Sequence, residues 1–350
     1  MLDVTWHINA GQELYSASML LDGLSALRRR GQLSLRFVPN TSCPEIAGKL
    51  VLLTVHAGDE ASARKIIVDF WDTSEFRCPL ALDYADVYFK RSLMCGPLEA
   101  LSVDLQHRVR AFGLNFACVS AETWSDWLAA SVVRARAAAT SDLRSAVAGF
   151  VSDLRDFPGI PPYKSFLATP HVPKRPIAVF QTRVWPPRDS RDSLECLNRE
   201  RAELVKHLRD ALGDRFVGGI VDSELARARY PNAVVTESVR RHEYASLIRS
   251  ALVGVYSRGI DGSLAFKLSE YLAAGCCIVI EPFEHMLDVP LQNGVHYLPF
   301  DSPQSCAFAC KRLLDDKAFA AEMSRRNSEY FLRYLAPEKH ITRMLSAATS

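Results

Sequence analysis

No apolar run in the 350-residue sequence approaches the ~20 residues needed to cross a bilayer. There is also no large excess of one charge, because 42 Lys and Arg residues face 40 Asp and Glu residues. A broadly basic protein that binds nucleic acid or anionic membrane is therefore excluded. The opening MLDVTWHINAG has neither a basic segment nor the apolar core of a signal peptide, so we predict a cytoplasmic protein.

Metal-ligand spacings are missing as well. The nine cysteines are odd in number, contain no C-x-x-C pair and do not cluster with histidines. We predict reduced thiols, mostly buried as small apolar side chains, and no zinc site.

Length and composition predict two α/β domains. A chain of 350 residues is long for one core, and 48% apolar with 23% charged residues is typical of globular proteins. Six prolines between Pro158 and Pro176 indicate a linker. The predicted parts are a first domain over 1–160, a Pro-rich linker over 161–176, a second domain over 177–332, and a helix over 333–350 that could cross back to the first domain.

The first domain alternates predicted strands and helices. KLVLLTV reads as a strand, residues Glu60–Trp71 as a helix, and PLALDY as a strand that leads into a polar loop. His56 and Asp83 then lie at carboxyl ends of strands, where functional side chains concentrate in open α/β sheets. His7 lies at another strand–loop junction. The alternative for each histidine is a structural hydrogen bond.

The most informative stretch is GIDGSLAFKLSEYLAAGCCIVIEP, residues Gly259–Pro282. It predicts a turn with two glycines, a helix over Ser263–Ala274 and a strand over Cys276–Ile280. A strand over Val253–Tyr256 precedes it. Such strand–loop–helix–strand units build parallel sheets that bind ligands at the carboxyl ends of their strands. The unpaired N–H groups of the helix start favour an anion.

One face of this predicted helix carries Ser263, Lys267 and Glu270. A lysine there could hold a phosphate, and a glutamate could accept two hydrogen bonds from a ribose diol. The alternative is a solvated face on which the lysine and glutamate form a weak pair three residues apart.

Three motifs in order carry a resemblance to a known family. K-L-S-E-Y-L-A-A-G before a strand, then N-G-V-H-Y, then M-S-R-R-N-S-E-Y-F resemble the donor domain of GT-B glycosyltransferases, closest to their GT4-like (group 1) branch. The match covers roughly 177–345. It implies an α/β protein of two Rossmann-like domains with parallel sheets facing a central cleft. It also implies sugar transfer from a nucleotide-diphosphate donor to a hydroxyl acceptor, either a glycan or a small natural product, without a cofactor.

The resemblance assigns roles to individual residues. It places Glu270 on the donor ribose, Lys267 and Arg183 on the diphosphate, and the backbone N–H groups of Gly259–Ser263 near sugar and phosphate. The family's second glutamate is missing, because its position is Gly262. Asp261 next to it either replaces that glutamate or caps the helix. With a helix start and cations to stabilise the leaving group, we predict a metal-independent reaction.

The first domain is expected to bind the acceptor. An inverting reaction needs a base, for which His56, Asp83 and His7 are the candidates; a retaining reaction needs none. The alternative functions are a nucleotide-sugar epimerase of the same fold and an inactive GT-B protein that binds a nucleotide or a partner. The predicted partners are a nucleotide sugar and an acceptor, not nucleic acid. The Arg28–Arg30 run leaves peripheral contact with a membrane open.

Overall fold

The computed structural model describes residues 1–58, 63–169, 172–186, 192–235 and 240–349. Contacts divide the chain into two units. The first consists of Met1–Tyr163, Glu284–Pro290 and Arg333–Ser350, and the second consists of Lys164–Phe283 and Leu291–Leu332. Each unit contains one sheet and several helices, so the predicted α/β class is confirmed.

The first unit is built on a six-stranded sheet of order β2-β1-β3-β4-β5-β6. Its elements are β1 (Leu2–Ile8), α1 (Ser18–Arg29), β2 (Leu33–Pro39), β3 (Leu50–Ala57), β4 (Arg64–Asp69), α2 (Pro79–Tyr84), β5 (Val87–Lys90), α3 (Cys95–Glu99), α4 (Val103–Arg108), β6 (Val109–Ala111), α5 (Trp124–Ala139) and α6 (Leu143–Asp156).

This sheet is mixed. Strand β3 runs antiparallel to both of its neighbours, β1 and β4, whereas the pairs β1–β2, β4–β5 and β5–β6 are parallel. The carboxyl end of β3 therefore lies at the edge of the sheet formed by the amino ends of the other strands.

Two predictions for this unit were wrong. Within Glu60–Trp71, the described part forms strand β4 and not a helix, because Ile66, Ile67 and Val68 are all buried inside the sheet between two strands. PLALDY forms helix α2 and not a strand. Its proline occupies the first turn, where a missing N–H costs nothing.

The second unit contains a five-stranded sheet of order β11-β10-β9-β7-β8, and all its strand pairs are parallel. The remaining elements of the chain are β7 (Arg175–Thr182), α7 (Asp192–Leu212), β8 (Phe216–Ile220), α8 (Glu224–Arg229), α9 (Arg241–Ser250), β9 (Ala251–Tyr256), α10 (Lys267–Ala273), β10 (Cys277–Ile280), β11 (Tyr297–Pro299), α11 (Pro303–Asp315), α12 (Lys317–Tyr330) and α13 (Pro337–Thr349).

Helix α13 belongs to the first unit, where it packs on α1. The first unit also takes in Glu284–Pro290, which lies inside the stretch 177–332 of the predicted second domain. The contacts of this segment include a hydrogen bond from the Met286 N–H to the Leu93 carbonyl at 2.8 Å and an ion pair between Asp288 and Arg343 of α13.

The nine cysteines are all thiols, as predicted, and six of them are buried. None of the helices described in the structure combines the length and the apolar character that a membrane span requires.

The packing of α13 on α1 can be tested at Gly23. A Cβ there would collide with the Ile341 side chain and lie 2.6 Å from the Pro337 carbonyl. Overpacking of this kind costs about 1–3 kcal/mol. We expect Gly23→Ala to lower the melting temperature of the first unit by several degrees in calorimetry. Gly96→Ala is the control, since a Cβ at Gly96 meets nothing within 4 Å. Equal melting temperatures for the two variants would contradict this packing.

Candidate functional site

The second sheet has a topological switch point between β7 and β9. From β7 the chain moves outward to β8, whereas from β9 it moves to β10 and β11 on the other side. Ligands of open parallel sheets bind in the crevice at the carboxyl ends of the two strands that flank such a point. Arg183 directly follows β7 and is exposed, and Ser257 directly follows β9.

The loop after β9 is a tight turn. The Gly259 N–H donates to the Ser263 carbonyl at 2.7 Å, and the Ser263 N–H donates to the Ile260 carbonyl at 3.1 Å. Asp261 has a positive φ of 56°, and Gly262 has 74°. Two of the N–H groups predicted to face sugar and phosphate are therefore used inside the loop. In this conformation the N–H groups of Gly259 and Ser263 are occupied, and the contact of Gly259–Ser263 with sugar and phosphate stays a prediction.

The helix after this loop begins later than predicted. Helix α10 starts at Lys267, whereas Ser263 is buried in an extended conformation. The cause is Tyr256, whose hydroxyl accepts the Ala265 N–H at 2.8 Å and holds the intervening segment out of the helix. Asp261 lies too far from Lys267 to cap α10, so the capping alternative is wrong. Its use in place of the missing glutamate stays a prediction.

Lys267 and Glu270 are not on a solvated face. Glu270 is 1% exposed, and its Oε1 lies 2.9 Å from Nη2 of Arg241, the first residue of α9. Lys267 is half-buried, with its Nζ 4.0 Å from the ring centroid of Tyr244, a cation–π contact. The alternative of a weak, solvated Lys–Glu pair is therefore wrong.

Positive charge converges on Lys267. Burial, together with the charges of Arg241, Arg183 and Arg201, lowers the pKa of its ammonium group from 10.5 to about 8. The charge of Glu270 opposes this shift. A group of cations that destabilise one another is relieved by a bound anion. The site can therefore hold a multiply charged anion such as a diphosphate.

Sequence reasoning missed Arg201 and Arg258. Both line a cavity of about 350 Å³ at the same edge of the sheet, next to the residues that follow β9 and β10. Arg258 forms ion pairs with Glu281 after β10 and with Glu200 of α7. Arg201 carried no signal in the sequence, because α7 is an ordinary charged amphipathic helix and only the fold shows which of its residues reach the strand ends.

In the first unit, the two predicted histidines lie at opposite edges of the sheet. His7 pairs in register with Leu52, whereas His56 pairs with Asp3 at the start of β1, about 13 Å away. Because β3 is antiparallel, His56 lies at the edge of the amino ends. The reason for choosing it as a catalytic residue therefore fails. His7 lies at the carboxyl edge, where it shares a 3.0 Å hydrogen bond with Thr54, and burial lowers its pKa.

Asp83 lies on helix α2 and not at a strand end. It is exposed and borders a cavity of about 300 Å³ whose other lining residues are mostly apolar. Asp83 therefore lacks the strand-end position that made it a candidate base, because the predicted strand is a helix.

The carboxyl ends of β4 and β5 carry a charged cluster that the sequence did not reveal. Lys90 and Asp69 are fully buried, with Lys90 Nζ 2.8 Å from an Asp69 oxygen that also accepts the Tyr88 hydroxyl at 2.7 Å. His285 belongs to the same unit. Burial, with the charges of Arg91 and Lys90, lowers the pKa of His285 to about 4, so it is neutral at pH 7.

No group of three or more His, Cys, Asp or Glu side chains is arranged to hold a metal ion in the parts of the chain that the structure describes. Metal independence of the reaction stays a prediction.

Residues 199–346 match the family described as "Glycosyl transferase-like". No curated protein matches the chain by sequence. Among solved structures, the chain is similar to AviGT4, a glycosyltransferase involved in avilamycin A biosynthesis (14% identity, TM-score 0.39, 98% of this chain and 92% of that one). It is also similar to the C-terminal domain of LpcC, a glycosyl transferase group 1 family protein from Francisella tularensis (9% identity, TM-score 0.34, 49% and 97%).

A third similar structure is a provisionally assigned UDP-N-acetylglucosamine 2-epimerase from Listeria monocytogenes (11% identity, TM-score 0.46, 97% of this chain and 94% of that one). The family match confirms the resemblance to glycosyltransferases predicted from the sequence. The two α/β units agree with the predicted GT-B class, although the first sheet is mixed.

The charge on Lys267 should destabilise the ligand-free protein. Its folded pKa of about 8 lies below the ordinary 10.5, so the full cost applies below pH 8 and fades as the pH rises towards 10.5. We expect Lys267→Met to raise the free energy of unfolding at pH 7 by about 1–2 kcal/mol, less than the full shift because part of the side chain stays in solvent.

The gain should shrink between pH 8 and 10 in chemical denaturation. Lys206→Met is the control: Lys206 pairs with Asp210 on the exposed face of α7, and that partner raises its pKa. A lower free energy of unfolding for Lys267→Met at pH 7 would contradict this prediction. It would show that burial and the neighbouring arginines do not destabilise the charged lysine.

Proposed function

We propose that this chain, whose residues 199–346 match the glycosyl transferase-like family, transfers a sugar from a nucleoside-diphosphate donor to a hydroxyl acceptor. The observation that carries the proposal is the convergence of Lys267 with Arg183, Arg201 and Arg241 at the carboxyl ends of β7 and β9. A diphosphate is the part of the donor that such a cluster would bind.

In this proposal the cations act on the leaving group. Glycosyl transfer passes through an oxocarbenium-like transition state while negative charge builds on the departing diphosphate. Lys267 and Arg183 stabilise that charge as it forms, and Lys267 becomes fully protonated once the dianion offsets the neighbouring arginines. Because side chains supply this stabilisation, the proposed reaction is metal-independent.

Glu270 binds the donor ribose in this proposal. A carboxylate is acceptor-only and can take one hydrogen bond from each hydroxyl of a vicinal diol. The contact with Arg241 holds the Glu270 carboxylate in one orientation inside the protein, so little side-chain entropy is lost when the ribose binds.

The first unit is proposed to bind the acceptor. For an inverting reaction, His7 is the proposed base, since this candidate base lies at the carboxyl ends of the strands of the first sheet and burial favours its neutral form. For a retaining reaction, no protein base is required. Asp261 is proposed to face the transferred sugar in place of the missing glutamate.

Nucleotide binding tests the proposal. We expect one of UDP, GDP, dTDP and ADP to raise the melting temperature, with CMP as the monophosphate comparison. A ligand at 100 times its dissociation constant stabilises by about 2.7 kcal/mol. The shift should disappear in Lys267→Ala and in Glu270→Gln, where glutamine keeps the shape of the side chain and limits the risk of misfolding.

The control is Lys206→Ala, which should keep the full shift. If no diphosphate stabilises the wild type while all variants remain folded, the donor site does not exist and the proposal is wrong. Turnover of the bound nucleotide sugar then separates the activities. Product formed only with an acceptor supports the transferase, product without acceptor indicates an epimerase, and binding without turnover indicates an inactive binding protein.

A further inference from the structure

A buried arginine connects the two strand ends that flank the switch point. Arg201 projects from α7 and is 6% exposed. Its Nη1 donates to the Arg183 carbonyl at 2.7 Å, and its Nη2 donates to the Arg258 carbonyl at 2.6 Å. Arg183 follows β7 and Arg258 lies in the segment after β9, so one guanidinium spans both sides of the crevice.

We propose that Arg201 is a positioning residue that sets the spacing between the segments after β7 and β9 and thereby shapes the diphosphate site. This inference rests on the proposed function, because the diphosphate site that Arg201 supports is part of that proposal. Arg201 acts through the backbone of Arg183 and Arg258 and not by touching the reacting atoms.

The position of Arg201 is energetically unfavourable without a ligand. Among the residues that the structure describes, no carboxylate forms an ion pair with it, and its Nε has no hydrogen-bond partner. Burial, together with the charge of Arg258, lowers its pKa to about 10, although Tyr256 and Glu200 act in the opposite direction. A buried cation without a paired anion is destabilising. A bound diphosphate would supply the missing negative charge, which gives a reason for keeping an arginine at this position.

The planar fork of arginine suits this task. Two N–H groups on different nitrogens reach two carbonyls at a fixed separation, whereas the ammonium of lysine is a compact point on a flexible stem. Arg201→Lys therefore keeps the charge and removes the fixed separation.

The same helix provides a matched control in Arg209. Its Nη1 donates to the Asn232 carbonyl, and its Nη2 donates to the carbonyls of Gly218 at 3.0 Å and Val234 at 2.8 Å. These carbonyls lie by β8 and away from the switch point. Arg209→Lys therefore makes the same chemical change on the same helix at a place where no donor is proposed to bind.

Hydrogen exchange of the ligand-free protein tests the connection directly. The Trp185 N–H, bonded to Asn198, reports on the segment after β7, and the Gly259 N–H, bonded to Ser263, reports on the segment after β9. We expect Arg201→Lys to speed exchange at both by about tenfold or more, the effect of losing one charge-assisted hydrogen bond. Arg209→Lys should instead speed exchange at the Val235 N–H, bonded to Ile220.

Titration calorimetry with the stabilising nucleoside diphosphate and with its nucleoside tests the consequence for the ligand. We expect Arg201→Lys to weaken the diphosphate by about tenfold and to leave the nucleoside unchanged, while Arg209→Lys changes neither. Combined with Arg183→Ala, Arg201→Lys should cost less than the sum of the two single effects, because both act on one segment.

The outcomes separate the two proposals. Unchanged exchange at Trp185 and Gly259 in a folded Arg201→Lys protein would overturn the positioning role whatever the titration gives. Faster exchange with unchanged diphosphate affinity would also overturn it, since the arginine would then serve the fold alone. If the wild type binds no diphosphate, the proposed function fails and the positioning role for that site falls with it. If the wild type binds the diphosphate and Arg201→Lys and Arg209→Lys lose the same affinity for it, the proposed function stands. The positioning role of Arg201 is then overturned.

Discussion

The geometry of the second unit depends on the contact between Tyr271 and Gly254. A Cβ at Gly254 would lie 2.7 Å from Cγ of the fully buried Tyr271 ring, so only glycine in the middle of β9 lets α10 approach the sheet this closely. The Tyr271 hydroxyl reaches the Val179 carbonyl of β7 at 3.5 Å. One aromatic side chain therefore sets the position of α10 relative to both strands of the switch point, and with it the positions of Lys267 and Glu270.

Once α10 is placed, electrostatics decides what the site can bind. The helix begins at Lys267, with Glu270 on the same turn against Arg241. Hydrophobic packing supplies the free energy that brings these charges out of water. Burial and the charges of the surrounding arginines then lower the pKa of Lys267. If the site binds a diphosphate as proposed, stability of the empty site and affinity for the anion are opposed, as is common where binding requires groups that repel one another.

Much of the second unit could be predicted from the sequence because its signals are local. Strands β9 and β10 end at the predicted residues, Tyr256 and Ile280, and Gly275 ends α10 with a positive φ of 61°. The first unit was harder. Strand β4 was predicted as a helix because short buried apolar runs have no distinctive period, and the antiparallel direction of β3 leaves no trace in its residues. That direction alone moved His56 to the wrong edge of the sheet.

The sequence by itself determined the α/β class and the family resemblance, and it predicted Arg183, Lys267 and Glu270 as donor-site residues, because these follow from local periodicity and a motif within one strand–loop–helix unit. Only the tertiary structure decided which charges meet. Arg201 and Arg241 come from other helices, and their proximity to Lys267 depends on strand order and packing across the whole sheet. Contacts between residues far apart in the chain are set by the summed packing of the core, which no short stretch encodes.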